Sequence, residues 1–114
     1  MKLSGQATLL RILVGESDRH DGRPLYEHIV LKARELNIAG ATVLRGVMGY
    51  GANSRLHAAK VLRLSEDLPM VIEIVDTDEK LAPLLPLLDG IVREGLVTME
   101  KVQVIQYRSE NRSQ

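Results

Sequence analysis

Four apolar runs and two amphipathic helical patterns follow one another in an order that few folds accommodate. The runs cover residues 7–14, 41–48, 68–75 and 97–107. Helical spacing of apolar residues lies between the first and second runs and again between the third and fourth. The order is therefore β-α-β-β-α-β. Since crossovers are right-handed and both helices then lie on one face, we expect an α+β, ferredoxin-like sandwich with a four-stranded antiparallel sheet and two helices on one face.

The two predicted helices differ in how they begin. The first starts at Pro24, which suits a first helical turn, and ends near Asn37. The second follows an N-cap offered by residues 76–78, but Pro83 and Pro86 conflict with a regular helix interior and predict a late start or a kink. The apolar positions predicted to face the core are Leu25, Tyr26, Ile29, Val30, Ala33 and Leu36, then Leu81, Leu84, Leu85, Leu88, Ile91 and Val92.

Charged residues stand in the middle of two of the apolar runs. With a side-chain period of two, Arg11 and Glu73 both fall on the face opposite to the core residues of their strands. The two strands are antiparallel neighbours in the expected fold, so Arg11 and Glu73 are predicted to pair among Leu and Val side chains. This favours a sheet face that is covered by another subunit. A solvated sheet face with ordinary exposed leucines is the alternative.

Composition excludes several classes of function. The 114 residues include 15 Lys+Arg and 15 Asp+Glu, so no positive excess favours nucleic acid or an anionic membrane surface. The chain has no Cys, which removes thiolate catalysis, iron–sulfur clusters and Cys-based zinc sites. The apolar runs are shorter than the ~20 residues of a membrane span, so we expect a cytoplasmic protein that is not inserted in a membrane.

We expect a single domain over residues 1–114, with a core of about 5–108, a flexible loop of about 49–67 and a mobile tail at 109–114. Residues 55–65 have some helical character. From residue 49 to residue 63 the loop carries basic side chains and no carboxylate, which we interpret as an arm that binds a partner or an anion. A solvated amphipathic segment packed down through apolar side chains is the alternative. The candidate partner-binding residues are Arg55, His57, Lys60 and Arg63.

Catalytic and metal sites have little support in the sequence. His20 lies in an acidic loop, but no second histidine follows it at helical spacing, so no metal site is predicted. His28, on the first helix, is interpreted as a surface or subunit-edge residue. Ser54 and His57 lack a third, orienting group, and there is no nucleophile elbow. We therefore expect a protein that is not an enzyme.

Three segments resemble a known family. The stretch 40–46 entering a long loop, the strand 71–75 and the final 101–104 are together similar to the PII-like superfamily (GlnB-like), and most of all to the bacterial and archaeal domain-of-unknown-function family 190. The most specific part is the block 44–51, Leu-Arg-Gly-Val-Met-Gly-Tyr-Gly. The similarity covers roughly residues 5–108. It implies a homotrimer whose open sheet faces turn inward, with small-molecule sites in the clefts between subunits.

The resemblance also implies a set of ligand-binding residues. Signal-transducing PII proteins bind adenine nucleotides, and the residues that match their adenine-side, loop-base and phosphate-side positions are Thr42, Gly49, Tyr50, Gly51, Arg93 and Lys101, the last at the start of the final strand. The PII segment before that strand contains several glycines that hold phosphates, whereas residues 93–100 contain one. This departure favours AMP or ADP over a triphosphate.

The resulting prediction is a non-enzymatic, PII-like trimeric regulator. An adenine nucleotide between subunits would order the loop, which then presents or withholds a surface for a protein partner. Members of the resembled family are often encoded beside membrane ion exporters of the fluoride-channel kind, which makes such a protein a candidate partner. The alternative is a CutA-like trimer that binds divalent metal or is purely structural. An enzyme acting on a nucleotide is a third, weaker option.

Overall fold

A four-stranded antiparallel sheet organises the chain, of which the computed structural model describes residues 5–51, 57–58 and 67–109. In chain order the elements are β1 (Gly5–Gly15), β2 (Arg19–His20), β3 (Arg23–Pro24), α1 (Leu25–Glu35), β4 (Ala41–Arg45), β5 (Met48–Gly49), β6 (His57–Ala58), β7 (Pro69–Asp76), α2 (Asp78–Leu81), α3 (Leu84–Ile91) and β8 (Leu96–Val104). The long strands are ordered β4-β7-β1-β8, and every neighbouring pair is antiparallel. The predicted ferredoxin-like fold is confirmed.

Alternate residues of the two central strands build the core beneath the helices. The buried cluster consists of Leu10, Ile12, Val14, Leu25, Ile29, Ala33, Ile38, Met70, Ile72, Ile74, Leu81, Leu84 and Leu88. The remaining positions predicted to face the core, Tyr26, Val30, Leu36, Leu85, Ile91 and Val92, are partly buried against it. Burying one such aliphatic side chain contributes about 1.5–3 kcal/mol. A slip of one residue would turn a whole row outward, so this pattern fixes the register of the sheet.

The first helix ends close to the predicted residue, for a local reason. Asn37 has a φ of 60°, the left-handed conformation that Asn tolerates better than most residues. The Asn37 amide donates to Arg34 O at 3.0 Å and the Ile38 amide to Ala33 O at 3.1 Å, which is the hydrogen-bond pattern of a Schellman motif. The buried side chains of Ala33 and Ile38 complete it.

The prolines divide the second helical segment, as the sequence predicts. The hydroxyl of Thr77 caps α2 by accepting from Lys80 N at 3.2 Å, and α2 ends after one turn at Leu81. A new helix, α3, begins after Pro83. Pro86 lies in the first turn of α3, where an amide has no intrahelical acceptor, so the proline is tolerated there.

Several predicted boundaries are wrong. The second strand stops at Arg45 rather than residue 48. The Gly46 amide still donates to Pro69 O at 2.7 Å, but Pro69 has no N–H to return a bond, so the regular pairing with β7 ends there. The last strand stops at Val104 rather than residue 107. Met48–Gly49 pairs instead with His57–Ala58, whose extended backbone differs from the helical character expected there. The side chains of Arg55, His57, Lys60 and Arg63, and the tail beyond residue 109, lie outside the described residues.

Candidate functional site

The sheet face opposite the helices carries two rows of side chains that cross all four strands. The register aligns Leu44, Val71, Leu13 and Leu96 in an aliphatic row and Thr42, Glu73, Arg11 and Thr98 in a polar row. The Arg11 guanidinium contacts Glu73 Oε2 through Nε at 3.0 Å and Nη2 at 2.9 Å, so the predicted pair is confirmed. Its two side chains are 37% and 32% exposed, and Leu44 and Leu96 are 49% and 54% exposed. We call this surface the open face.

The turn that follows β4 packs against Pro69, the first residue of β7. A Cβ at Gly46 would lie 2.7 Å from Pro69 Cγ, and a Cβ at Gly49 would lie 3.0 Å from the same atom. Close packing therefore explains both glycines. Beside them, Val47, Met48 and Tyr50 are 74%, 59% and 78% exposed, so the turn presents an apolar and aromatic surface to solvent.

Polar contacts hold both ends of the long connection after β4 to the segment that follows β1. Arg45 forms a bidentate ion pair with Glu16, with Nε–Oε2 at 3.0 Å and Nη2–Oε1 at 3.1 Å. At the other end, Asp67 Oδ1 accepts from Ser17 N at 2.8 Å, and Leu68 O accepts from Glu16 N at 2.8 Å. The connection therefore begins and ends on one fixed base.

Arg93 lies at the same end of the sheet as this base, in an open cleft of about 580 Å³. The charged residues that line the cleft are Asp18, Arg19, His20, Asp21, Arg93 and Glu94. Arginine and carboxylate side chains both line the cleft, so it suits a ligand that carries groups of both charges.

Gly95, the single glycine between Arg93 and Glu100, has a packing role. Its φ is 155°, and a Cβ would lie 2.4 Å from Leu13 O. Since β8 begins at Leu96, the connection from α3 is also shorter than the sequence suggests. Gly95 is accordingly required where the chain passes close to β1.

Lys101 is held in a hydrogen-bonded cluster at the opposite end of the sheet. It is the sixth residue of β8 rather than its first, so its predicted place at the start of the strand is wrong. Lys101 Nζ donates to Asp78 Oδ2 at 2.7 Å and to Thr8 Oγ1 at 3.3 Å, and the Thr8 hydroxyl donates to Asp78 Oδ1. These hydrogen bonds lower the pKa of Asp78 below its ordinary value, and the bond from Lys101 makes the largest contribution.

The expected ligand-binding residues fall into separate places on one chain. Thr42 lies on the open face, Gly49, Tyr50 and Gly51 lie beyond β4, and Arg93 lies in the cleft. Lys101 lies opposite Thr8, near the first residues of β1. The other end of β1 is marked by the pair Leu13 and Leu96, and this is the end at which β4 stops. From Lys101 to the end of β4 is about 14 Å across three strand spacings and about 20 Å along six residues. One small ligand cannot contact both regions of one chain.

Two interactions involve residues that the sequence does not single out as partners. The ring of His28 lies 4.3 Å from that of His20, centroid to centroid, so a second histidine is present beside His20 after all. Burial, then the neighbouring His20, Lys32 and Arg23, lowers the pKa of His28. Asp76 is fully buried and accepts from Ala39 N at 2.8 Å and Thr77 N at 2.7 Å. An Asp at the end of an apolar strand was the only sequence signal for this contact.

No helix in the described part of the chain is long and apolar enough to cross a membrane. Across residues 5–51, 57–58 and 67–109, no group of three or more His, Cys, Asp or Glu side chains could hold a metal ion.

The fold is that of the PII-like proteins. Solved structures of this class superimpose on nearly the whole chain. One of them is CPII, a nitrogen regulatory PII-like protein from Thiomonas intermedia K12, bound to ADP, AMP and bicarbonate. It is 16% identical, with a TM-score of 0.62, and the match covers 89% of this chain and 90% of that one. At this identity the likeness shows the fold alone.

Sequence similarity then gives the family. The model of the family DUF190, described as "Uncharacterized ACR, COG1993", matches residues 7–104. A UPF0166 protein of Aquifex aeolicus (strain VF5) is 38% identical over 97 residues, which are 85% of this chain and 91% of that protein. UPF0166 protein MJ1524 of Methanocaldococcus jannaschii is 34% identical over 106 residues, 92% of this chain and 95% of that protein. The chain belongs to the DUF190 (UPF0166) family.

Proposed function

We propose that this protein is a non-enzymatic, PII-like regulator that forms a homotrimer and binds AMP or ADP between its subunits. The loop at 49–67 then presents a surface to a protein partner. The observation that carries the proposal is the likeness, over 89% of this chain, to a PII-like protein bound to ADP and AMP.

The open face supports the trimer. Its aliphatic row crosses four strands and leaves Leu44 and Leu96 about half exposed in one chain. A contiguous apolar strip on a sheet is typical of an interface, and the Arg11–Glu73 pair in the neighbouring polar row would fix the register between subunits. Covering this face would remove the aliphatic row from water.

The separation of the ligand-binding residues supports a site between subunits. Thr42, Gly49, Tyr50 and Gly51 lie on one side of the sheet, and Lys101 lies at the far end of the opposite edge strand. A nucleotide that touches both groups must therefore bridge two copies of the chain. In this arrangement Tyr50 supplies an aromatic surface for the base and Lys101 a cation for phosphate.

The geometry of Gly95 supports a ligand with few phosphates. Successive glycines before the last strand would offer several backbone N–H groups to a triphosphate. Here a single glycine is present, and its conformation and its contact with Leu13 O are needed for packing. AMP or ADP fits this reduced set of donors better than ATP.

The contacts at the two ends of the loop support the proposal that the loop transmits ligand binding to a protein partner. Arg45–Glu16 and Asp67–Ser17 fix both ends of the connection, so a ligand beside Tyr50 would act on a loop with a rigid origin. Nucleotide binding shifts the equilibrium between ordered and disordered loop states only if the two states bind the nucleotide with different affinities. A membrane ion exporter is our candidate partner, with the basic residues Arg55, Lys60 and Arg63 as the partner-binding side chains.

Calorimetric titration of the full chain with AMP, ADP and ATP, together with light scattering, tests the proposal. We expect the mass of three chains and saturable binding of AMP or ADP that is tighter than that of ATP. Lys101→Ala should weaken binding about tenfold or more, because a hydrogen bond to a charged group contributes about 1.5–3 kcal/mol. Lys80→Ala removes a nearby lysine outside the cluster and should leave affinity unchanged.

Each part of the proposal can fail separately. A mass of one chain would contradict the trimer, and no response to any nucleotide would contradict the ligand. Equal affinities of Lys101→Ala and the unsubstituted protein would remove Lys101 from the site. Tighter binding of ATP than of ADP and AMP would contradict the argument from Gly95.

A further inference from the structure

Lys101, which the proposed function assigns to phosphate, is already paired with a carboxylate. Its Nζ lies 2.7 Å from Asp78 Oδ2 and 3.3 Å from Thr8 Oγ1, and the Thr8 hydroxyl donates to Asp78 Oδ1. Thr8 is only 2% exposed, so a residue fixed in the sheet holds the two charged groups together. The side chains of Lys101 and Asp78 are 59% and 55% exposed, so a ligand that reaches one charge also meets the other.

We propose that Asp78 makes the nucleotide site discriminate against triphosphates, because its carboxylate repels the ligand that Lys101 binds. This inference rests on the proposed nucleotide-binding function and adds a residue to it, since Asp78 does not belong to the ligand-binding set described above. The ligands that such a site accepts are nucleoside monophosphates and diphosphates. A nucleoside triphosphate, which carries more negative charge, is disfavoured.

The distances place Asp78 close enough to repel a phosphate on Lys101. An ammonium group has three N–H donors, and the contacts within the described part of the chain use two of them. Two acceptors about 2.8 Å from one tetrahedral nitrogen are about 4.5 Å apart. A phosphate oxygen on the third donor would therefore lie about 4.5 Å from Asp78 Oδ2, well inside the Debye length of about 8 Å at physiological ionic strength.

The charge of the cluster determines how much each further phosphate adds to binding. The bonds from Lys101 and Thr8 lower the pKa of Asp78, so the carboxylate is charged at neutral pH and cancels the charge of Lys101. A lone lysine attracts a ligand more strongly with each phosphate added. A neutral pair attracts only the phosphate oxygen in direct contact with the ammonium. The third phosphate of ATP would therefore not strengthen binding at Lys101.

Asp78→Asn tests the inference, because it removes the charge and keeps groups that can hydrogen-bond to Lys101 and Thr8. Calorimetric titration of the full chain with AMP, ADP and ATP measures the effect. We expect ATP binding to tighten about fivefold or more and AMP binding by about twofold or less, which is the range of exposed charge–charge interactions. At about 1 M salt the difference between Asp78→Asn and the unsubstituted protein should shrink, because exposed charges are then screened.

Glu79→Gln is the matched control. Glu79 is exposed and follows Asp78 in α2, so its variant changes the net charge of the protein by the same amount. Within the described residues, Lys101 is paired with Asp78 and not with Glu79. Glu79→Gln should therefore leave the ratio of ATP affinity to AMP affinity unchanged. Equal changes of this ratio in both variants would overturn the proposal, since net charge and not Asp78 would then be the cause.

A second readout uses the unsubstituted protein and does not depend on a variant folding. A phosphate near Asp78 disfavours the carboxylate, so bound nucleotide should raise the pKa of Asp78, and ATP should raise it more than AMP does. NMR titration of the Asp78 carboxyl carbon measures the change. An identical pKa with and without saturating nucleotide would overturn the proposal.

The outcomes separate this inference from the proposed function. Nucleotide binding with the same ATP-to-AMP ratio in Asp78→Asn and the unsubstituted protein would overturn the inference and leave the proposed function standing. Equally weakened binding of every nucleotide by Asp78→Asn would also overturn it, because the carboxylate would then only position Lys101. Absence of nucleotide binding by both proteins would contradict the proposed function, and the inference with it.

Discussion

Gly95 must be glycine for two physical reasons, its φ of 155° and the 2.4 Å approach of a Cβ to Leu13 O. Gly95→Ala should lower the free energy of unfolding by about 1–3 kcal/mol or more, measured by urea denaturation. Gly90 is the matched control, since it lies in α3 with nothing within 4 Å of a Cβ. Gly90→Ala should be neutral or stabilising by up to about 1 kcal/mol. Equal stability of the two variants would contradict this account.

The pKa of Asp78 should lie below its ordinary value because Lys101 and Thr8 donate to the charged carboxylate. The lowered pKa means that the cluster stabilises the fold above the ordinary carboxyl pKa, and that this contribution is lost as the pH falls through the lower folded value. NMR titration of the carboxyl carbon measures it. Lys101→Ala should raise the pKa of Asp78 toward its ordinary value, whereas Lys80→Ala should not. An unchanged pKa in Lys101→Ala would show that Lys101 is not the cause.

The sequence predicts individual side-chain partners only where strand register brings them together. Arg11 and Glu73 follow from the alternation of two neighbouring strands, and the structure pairs them at 2.9 Å. Thr8 and Asp78 are 70 positions apart and meet because α2 begins beside the sheet end. His20 and His28 meet because a hairpin folds back on α1. The last two contacts depend on the approach of different elements, which side-chain periodicity does not encode.

Asp76 connects the end of β7 to the turn between α1 and β4. Its buried carboxylate accepts hydrogen bonds from the backbone amides of Ala39 and Thr77. Asp76→Ala leaves two partly buried amides without this acceptor. Each such loss costs about 1–3 kcal/mol, so the free energy of unfolding should fall by about 2–6 kcal/mol. Thermal or urea unfolding measures the change. Asp89→Ala, at an exposed position of α3, should stay within about 0.5 kcal/mol, and a similar small effect at Asp76 would contradict its bridging role.

Helices and strands are predicted well where local chemistry decides them and poorly where distant contacts do. The start of α1 at Leu25, immediately after Pro24, and the break at Pro83 follow from the properties of proline. The end of β4 at Arg45 depends on Pro69, which lies on another strand and packs against Gly46. A run of apolar residues through Met48 therefore predicts a strand that is too long.

The proposed nucleotide site is a property of the assembly rather than of one chain. The sequence supplies candidate residues through a family resemblance, but the structure separates Lys101 from the turn at 49–51 by the width and much of the length of the sheet. Only the relative placement of subunits can unite them. The open face, which we propose as the contact between subunits, is therefore the feature on which the rest of the proposed function depends.

Reversing one charge on the open face should dissociate the proposed trimer. In Arg11→Glu the new carboxylate lies directly opposite that of Glu73 on the neighbouring strand. An uncompensated charge on a face covered by another subunit costs about 3–5 kcal/mol. Light scattering should show the mass falling from three chains toward one. The double variant Arg11→Glu/Glu73→Arg restores opposite charges and should recover the larger mass.

The Arg45–Glu16 pair provides the control, because it is also bidentate but lies at the end of the sheet, with 53% of the arginine side chain exposed. Arg45→Glu should leave the mass unchanged, while circular dichroism verifies that every variant is folded. Dissociation by Arg45→Glu as complete as by Arg11→Glu would mean that general charge, not the covered face, controls assembly. Failure of the double reversal to restore the trimer would mean that the Arg11–Glu73 pair is oriented by subunit contacts that distinguish the two strands.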